Sequence, residues 1–247
     1  MMRLLVSVRS VDEALIAARG GADFIDLKEP GQGALGGLPV ATIRTIVAAL
    51  RAQGITLPVS ATIGDVPMSM RDEILACVAA VGDCGVDYVK VGIERGPRSR
   101  EVLDALAATG RAIVPVFIAD HGLDEALVAF ALTLGFVGLM ADTADKQAGS
   151  LFERVDRHSL QRFVEQVRGA GVMVGIAGAL RASHASDLAV LAPDFAGFRS
   201  AVCAGDRSAA LDPQRLCQLA ETMRLAQAPL ARTSPSSNDR MRASSAR

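Results

Sequence analysis

A carboxylate and an amine stand two residues apart at the end of an apolar segment, as Asp26 and Lys28. Alternate side chains of a strand share a face, so both groups are expected to point the same way. Of the 26 basic residues in the chain, the only lysines are Lys28, Lys90 and Lys146. A desolvated lysine can lose its proton and attack a carbonyl group, which a guanidinium cannot do. The sequence therefore favours amine chemistry.

A second amine ends the apolar run that begins at Tyr88. The same alternation places Tyr88 and Lys90 on the inner face of a barrel, together with Asp26 and Lys28. Two ammonium groups in one partly dry site repel each other, which favours one neutral amine, and Asp26 would orient the pair. The alternative is that both lysines form structural salt bridges at the rim.

Further charged groups follow the fifth and sixth apolar runs. Asp142 ends the sixth run, and Lys146 comes four residues later. Lys146 would either reach over the site to a phosphate group or remain a solvated loop charge. Asp120 and His121 follow the fifth run, where they would supply another acid/base group or have no part in the chemistry.

Polar side chains also line or follow the third apolar run, at Ser60, Thr62 and Asp65. They would either pack inward or contact a substrate hydroxyl group. Two glycine-bearing stretches after the seventh and eighth runs suit an anionic phosphate group, since exposed backbone amides and nearby arginines bind such groups. The candidate phosphate ligands are Gly178, Ala179, Arg199, Ser200, Gly205 and Arg207.

Composition limits the function classes. Half of the 247 residues are hydrophobic and only 4% are aromatic, which is typical of aliphatic helices packed on a parallel sheet. The net charge of -1 and the scattered arginines provide no basic surface for nucleic acid. Neither a secretion signal nor a run long enough to span a membrane is present, so a cytoplasmic protein is expected. A homo-oligomer is compatible with the alanine-rich helices.

The four cysteines and three histidines suggest no metal site. The cysteines form no CxxC pair, and they are expected to be reduced and partly buried. Neither a zinc site nor a disulfide framework is supported, and no metal or organic cofactor is expected. The residues concerned are Cys77, Cys84, Cys203, Cys217, His121, His158 and His184.

Apolar runs alternate with amphipathic segments along the chain, which predicts eight strand-then-helix units. Strands are predicted at 4–8, 24–28, 57–63, 88–91, 112–118, 136–141, 172–176 and 195–198. Helices are predicted at 11–19, 39–53, 69–81, 98–109, 123–133, 156–169, 182–191 and 213–224.

Short glycine turns lead into several strands, and longer polar loops leave them. This asymmetry favours one closed (β/α)8 barrel, a TIM barrel, with its site at the carboxyl ends of the strands. The rival is an open doubly wound sheet, whose usual G-x-G-x-x-G fingerprint is missing after the first strand. The barrel domain is predicted over residues 1–226, and the Ser- and Arg-rich residues 227–247 are predicted to be a disordered tail.

Several runs, in order along the predicted barrel, resemble the (5-formylfuran-3-yl)methyl phosphate synthase family of methanofuran biosynthesis. They are residues 5–7, 26–30, 33–36, 59–67, 87–92, 142–144 with Lys146, 151–152 and 198–207. The resemblance implies a lyase that condenses two molecules of glyceraldehyde 3-phosphate with loss of phosphate and water. By motif, it implies that Lys28 forms a Schiff base and Lys90 accepts a proton. Asp26, Asp142 and Lys146 would be supporting polar groups.

Two other functions are compatible with the same residues. A class I aldolase-like lyase acting on an ordinary sugar phosphate would use the same lysines and phosphate site. A barrel that binds a phosphorylated metabolite without catalysis would be stabilised by its ligand and form no covalent adduct.

Overall fold

The computed structural model of the chain describes residues 1–33, 35–145 and 148–228. Its strands lie parallel in chain order, and the first pairs with the last to close a ring. They are β1 (Arg3–Val8), β2 (Phe24–Leu27), β3 (Val59–Thr62), β4 (Tyr88–Ile93), β5 (Ile113–Ile118), β6 (Gly138–Asp142), β7 (Met173–Ile176) and β8 (Phe195–Phe198). The predicted (β/α)8 barrel is confirmed, and the open doubly wound sheet is excluded.

Helices follow every strand and cover the outside of the ring. They are α1 (Val11–Arg19), α2 (Val40–Ala52), α3 (Arg71–Gly82), α4 (Ser99–Ala107), α5 (Glu125–Leu132), α6 (Leu151–Arg154), α7 (Arg157–Gly169), α8 (Ala185–Leu191) and α9 (Pro213–Gln227). The short α6 was not predicted, and the helix predicted over 182–191 begins as a 3-10 turn at Ala182–His184. Within the described ranges, no helix combines the length and apolar character needed to cross a membrane.

Two predicted features fall largely or wholly outside the described residues. Lys146 is one of them, so its predicted contact with phosphate stays a prediction. The other is the tail predicted at 227–247, of which only residues 227 and 228 are described. Gln227 closes α9, three residues beyond the predicted end of that helix at Arg224.

Side chains of the barrel strands alternate between two apolar layers. Ile25, Leu27, Val89 and Val91 belong to the layer between strands and helices. A smaller cluster fills the inside of the ring and contains Leu5, Phe24, Val114, Val116, Met140 and Phe195. This alternation is the one predicted for β2 and β4, and it leaves the intervening polar side chains facing the inside of the barrel.

Aromatic rings close the inside of the barrel below the polar residues. The ring centroids of Phe24 and Phe195 lie 5.5 Å apart. Gly175 on β7 makes room for this pair, because a Cβ there would lie 2.1 Å from Cζ of Phe195. The polar groups at the carboxyl ends of the strands therefore stand above a packed apolar floor.

Candidate active site

A cavity opens at the carboxyl ends of the strands, with about 500 Å³ of space that includes open solvent. Polar and charged side chains from four strand ends and one loop line it. They include Ser7, Asp26, Lys28, Lys90, Asp142 and Arg207, and Arg199 and Ser200, which directly follow β8, also line the cavity. This position is where barrels of this type carry their chemistry.

Asp26 lies at the centre of a buried hydrogen-bond network. Its Oδ1 atom is 2.8 Å from Nζ of Lys90 and accepts a hydrogen bond of 2.7 Å from Oγ of Ser60. Its Oδ2 atom accepts one of 3.0 Å from Oγ of Ser7. Strand register explains the arrangement, because Ser7 and Ser60 stand opposite Asp26 on the two neighbouring strands.

The carboxyl group of Asp26 is charged at neutral pH. Burial on its own would raise the pKa of Asp26, because it penalises the charged form. The charges of Lys90 and Lys28, with hydrogen bonds from Lys90 and Ser60, outweigh burial and hold the pKa of Asp26 below its ordinary value. One fixed negative charge thus faces two amines.

Lys28 and Lys90 both line the cavity, with 6% and 3% of their surface exposed. Their predicted convergence on one mouth is confirmed. Lys90 forms the direct ion pair with Asp26, while Lys28 acts on the same carboxylate through its charge. Asp142, which is 1% exposed, brings a second carboxylate to the cavity.

The turn after β7 presents backbone groups at the cavity. Gly178 has a φ of 113° and Ala179 a φ of 46°, a left-handed conformation that is uncommon for a residue with a Cβ. Both residues line the cavity together with Ser200, which is exposed. Across the described ranges, the amides of Gly178, Ala179 and Ser200 donate to no protein acceptor, so they are available to an anion.

Arg207 brings a positive charge to the same side of the mouth. It lines the cavity, and its Nη2 donates to the carbonyl oxygen of Gly33 at 3.1 Å. Burial lowers the pKa of Arg207 and the charge of Asp142 opposes this, but a guanidinium stays charged at neutral pH. Gly205 lies in the same loop but is exposed and does not line the cavity, so the structure does not support it as a ligand.

The structure does not place Arg199 as the phosphate ligand that the sequence predicted. Its guanidinium is buried, and all five N–H groups donate to protein oxygens. The acceptors are both carboxylate oxygens of Glu13 and the carbonyl oxygens of Ser7, Arg207 and Ala209. No donor is left for a ligand, so this expectation is corrected and Arg207 is the better candidate.

The polar residues on or after β3 contact protein groups. Ser60 belongs to the Asp26 network, and Thr62 donates to the carbonyl oxygen of Gly36 at 3.0 Å. Asp65 accepts a hydrogen bond of 3.1 Å from the amide of Leu35. Of the two interpretations of Ser60, Thr62 and Asp65, the structure supports inward structural contacts. Thr62 and Asp65 fix the loop after β2, which places Leu35 in the cavity wall.

Asp120 and His121 do not line the cavity. The carboxylate of Asp120 accepts hydrogen bonds from the amides of Ala144 and Asp145, and so fixes the loop that leaves β6. His121 is exposed. An acid/base role for either residue therefore has no structural support.

Three residues of the site were not predicted as site residues, although two of them lie in runs that carry the family resemblance. Ser7 would have been found by applying the alternation of β1, since Leu5 and Ser7 share a face. Glu13 follows Ser10 by three residues, a spacing typical of a helix start, which concealed its pairing with Arg199. Leu35 carries no local signal, because its place in the wall depends on a folded loop.

Low pH should destabilise the protein, because it protonates the buried carboxylates of Asp26 and Glu13. The Arg199 guanidinium and two backbone amides outweigh burial and hold the pKa of Glu13 below its ordinary value, as with Asp26. A carboxylate whose pKa is lower in the folded than in the unfolded protein stabilises the fold. This contribution is complete above the unfolded-state pKa and is lost as the pH falls through the folded-state pKa. Urea unfolding between about pH 6 and 3 should show a falling free energy of unfolding.

Glu13→Gln should reduce the slope of that decline by up to about 1.4 kcal/mol per pH unit, because it removes one proton-binding group. Asp72→Asn on the surface is the control, since the side chain of Asp72 is 87% exposed. An unchanged slope in Glu13→Gln would show that Glu13 does not contribute to acid unfolding.

Comparison with known proteins decides the family. A sequence model described as 4-HFC-P synthase matches residues 4–220. The chain belongs to this family. The resemblance inferred from the sequence is thereby confirmed, and 4-HFC-P synthase family membership makes the chain an enzyme of the furan phosphate synthase type.

Relatives of this 4-HFC-P synthase family member cover nearly the whole barrel. A protein of Methylorubrum extorquens, provisionally named (5-formylfuran-3-yl)methyl phosphate synthase, is 41% identical over 223 residues, covering 90% of this chain and 92% of that protein. The (5-formylfuran-3-yl)methyl phosphate synthase of Archaeoglobus fulgidus is 33% identical over 240 residues, covering 90% and 99%.

Solved structures show that the 4-HFC-P synthase barrel is shared with other enzymes. Phosphoribosyl anthranilate isomerase from Thermus thermophilus has a TM-score of 0.65 at 16% identity, covering 91% of this chain and 99% of that one. A 3-hexulose-6-phosphate synthase has a TM-score of 0.57 at 20% identity, with coverages of 91% and 99%. Identities this low show a common fold alone.

Proposed function

We propose that this chain is a (5-formylfuran-3-yl)methyl phosphate synthase that condenses two molecules of glyceraldehyde 3-phosphate through a Schiff base on Lys28. The observation that carries the proposal is the pair of buried lysines on one carboxylate, within the cavity of a 4-HFC-P synthase family member. Schiff-base chemistry needs an amine that can lose its proton and a second group that moves protons beside it.

The family motif that the sequence resembles implies different roles for the two lysines. Lys90 is held directly by Asp26, an arrangement suited to a group that accepts a proton and is then stabilised as an ammonium. Lys28 lines the same cavity, where its amine would attack the aldehyde carbon of the first triose phosphate and release water. By this motif we assign the imine to Lys28 and the proton transfer to Lys90, and both side chains line the cavity that the two roles require.

The imine would make the neighbouring C–H bond acidic, because its protonated nitrogen accepts electron density as the bond breaks. Lys90 would take that proton, and the resulting enamine carbon would attack the second aldehyde. Elimination of phosphate and water with ring closure would then give the furan, and hydrolysis of the imine would free its formyl group and restore the Lys28 amine. Overall, two triose phosphates yield one furan phosphate, one inorganic phosphate and two waters, so no oxidant is required.

A phosphate of the substrate would be held by the loops after β7 and β8. The support is the set of amides at Gly178, Ala179 and Ser200, which donate to no acceptor in the described part of the chain, with Arg207 at the same mouth. These donors suit a dianion on the side of the barrel where such enzymes bind phosphate. Asp142, at the end of the neighbouring strand β6, would assist an elimination step.

Incubation of the purified protein with glyceraldehyde 3-phosphate tests this function. We expect an ultraviolet chromophore from the aromatic aldehyde, with one inorganic phosphate released per product. Borohydride added in parallel should trap an adduct that peptide mass analysis locates at Lys28. An ordinary sugar phosphate without a chromophore would point instead to an aldolase-like lyase. Thermal stabilisation by the triose phosphate with neither adduct nor product would point to a binding barrel.

A further inference from the structure

Glu13 and Arg199 form a buried ion pair at the mouth of the barrel. Nη1 of Arg199 lies 2.6 Å from Oε2 of Glu13, and the two side chains are 6% and 7% exposed. Glu13 lies in the first turn of α1, and Arg199 directly follows β8. The pair thus joins the first and last units of the barrel beside the cavity, and the mechanism above does not use it.

Every hydrogen bond that the side chains of Glu13 and Arg199 make beyond each other goes to backbone that surrounds the mouth. The Glu13 carboxylate also accepts from the amides of Arg9 and Leu211, at 3.0 and 3.2 Å. Arg199 donates to the carbonyl oxygens of Arg207 and Ala209, both at 2.8 Å, and to that of Ser7 at 3.1 Å. The pair therefore fixes the strand end before Arg9 and the segment 207–211 relative to each other.

This fixation determines where Arg207 stands. Nε of Arg199 holds the backbone of Arg207, while the side chain of Arg207 lines the cavity and contacts the loop after β2 through Gly33. The loop that contains this segment also folds back on itself, since the amide of Ala204 donates to the carbonyl oxygen of Ala210 at 2.9 Å. Among the described residues, Arg199 is the only donor to the carbonyl oxygens of Arg207 and Ala209.

We propose that Glu13 and Arg199 are positioning residues, which set Arg207 at the mouth to bind the phosphate group of the substrate. The inference rests on the proposed function, because it assumes a phosphorylated aldehyde in this cavity. Arg199 touches no substrate here, since its donors are all used, and it acts through Arg207. Lysine in place of Arg199 would keep the charge near Glu13 but lacks the planar fork that reaches several carbonyl oxygens.

Steady-state kinetics with glyceraldehyde 3-phosphate test the proposal in Glu13→Gln, Arg199→Lys and Arg207→Ala. We expect KM to rise on the order of tenfold or more in each, with kcat changed far less, because a charge-assisted phosphate contact is weakened. Trapping of unphosphorylated glyceraldehyde by borohydride should be unchanged. Asp83→Asn, which breaks the exposed ion pair with Arg111, is the control and should leave both readouts unchanged.

The double variant Glu13→Gln with Arg207→Ala separates positioning from a general loss of stability. If Glu13 acts through Arg207, adding Glu13→Gln to Arg207→Ala should change KM by no more than about twofold. Fully multiplicative effects, or an unchanged KM in both Glu13→Gln and Arg199→Lys, would overturn the proposal. If Glu13→Gln fails to fold, the same cycle with Arg199→Lys decides.

Binding of inorganic phosphate tests the positioning role independently of the proposed reaction. Thermal unfolding measures how much phosphate stabilises the folded protein, and this measurement needs no turnover. Weaker stabilisation in Arg199→Lys and Arg207→Ala would support the positioning role even if the wild-type protein formed no adduct at Lys28. Equal stabilisation of the wild-type protein and both variants would overturn the positioning role even if Lys28 were trapped.

Discussion

Lys28→Ala is expected to reduce turnover of glyceraldehyde 3-phosphate by at least roughly a thousandfold, the scale seen when a covalent nucleophile is removed. The fold should survive, because Lys28 lines an open cavity and its deletion leaves no void in the packed core. Asp26 also keeps its ion pair with Lys90. The measurements are furan formation by ultraviolet absorbance, borohydride trapping and circular dichroism of the purified variant.

Two matched variants sharpen this result. Lys28→Arg retains the positive charge beside Asp26 but cannot form an imine, so it should be as inactive as Lys28→Ala. Lys90→Met leaves Lys28 in place, and it should still give a trapped adduct while losing turnover. Furan phosphate from purified Lys28→Ala, or an adduct that maps to Lys90 in the wild-type protein, would refute the assignment of the two amines.

Asp26→Asn should destabilise the protein by about 3–5 kcal/mol, because removal of one partner leaves buried charge without compensation. Asparagine has the shape of aspartate and can still accept a hydrogen bond from Ser7 or Ser60. The loss of stability therefore reports the removed charge rather than a change of volume. Urea unfolding at neutral pH measures the change, and turnover should also fall as Lys90 loses its orientation.

The surface variant Asp72→Asn is the control for this measurement, since it removes the same charge where water replaces it. A loss below about 1 kcal/mol in Asp26→Asn would mean that the lysines do not depend on this carboxylate, as expected of a solvated rim pair. The view of Asp26 as the charge that holds two buried amines would then fail.

The parts of the site that depend on the side-chain alternation within a single strand were predictable from the sequence. Alternation within β2 and β4 placed Asp26 and Lys90 inside the barrel, and chain-order pairing made the strand ends converge. Lys28 lies one residue beyond β2, yet its amide continues the ladder to Val8, so the alternation still applies. Local periodicity and parallel closure were sufficient for these residues.

The remaining parts depend on partners far away in the chain. Arg199 was predicted to bind phosphate because it follows β8, but its carboxylate partner Glu13 lies 186 residues earlier. Asp120 was a candidate acid/base group, yet its carboxylate accepts hydrogen bonds from the amides of Ala144 and Asp145, which lie 24 and 25 residues later in the chain. Residue type and spacing do not reveal which donors and acceptors tertiary contacts have already saturated.

The amines and the anion-binding groups belong to different kinds of structure. Lys90 and Asp26 are carried by strands of a closed ring, whereas Gly178 and Arg207 are carried by turns that leave it. Evolution can therefore lengthen or exchange these turns, and under the proposed function so change which aldehyde would be admitted, while the spacing of the lysine nitrogens is preserved. In such a lineage, substrate preference would diverge sooner than reaction type.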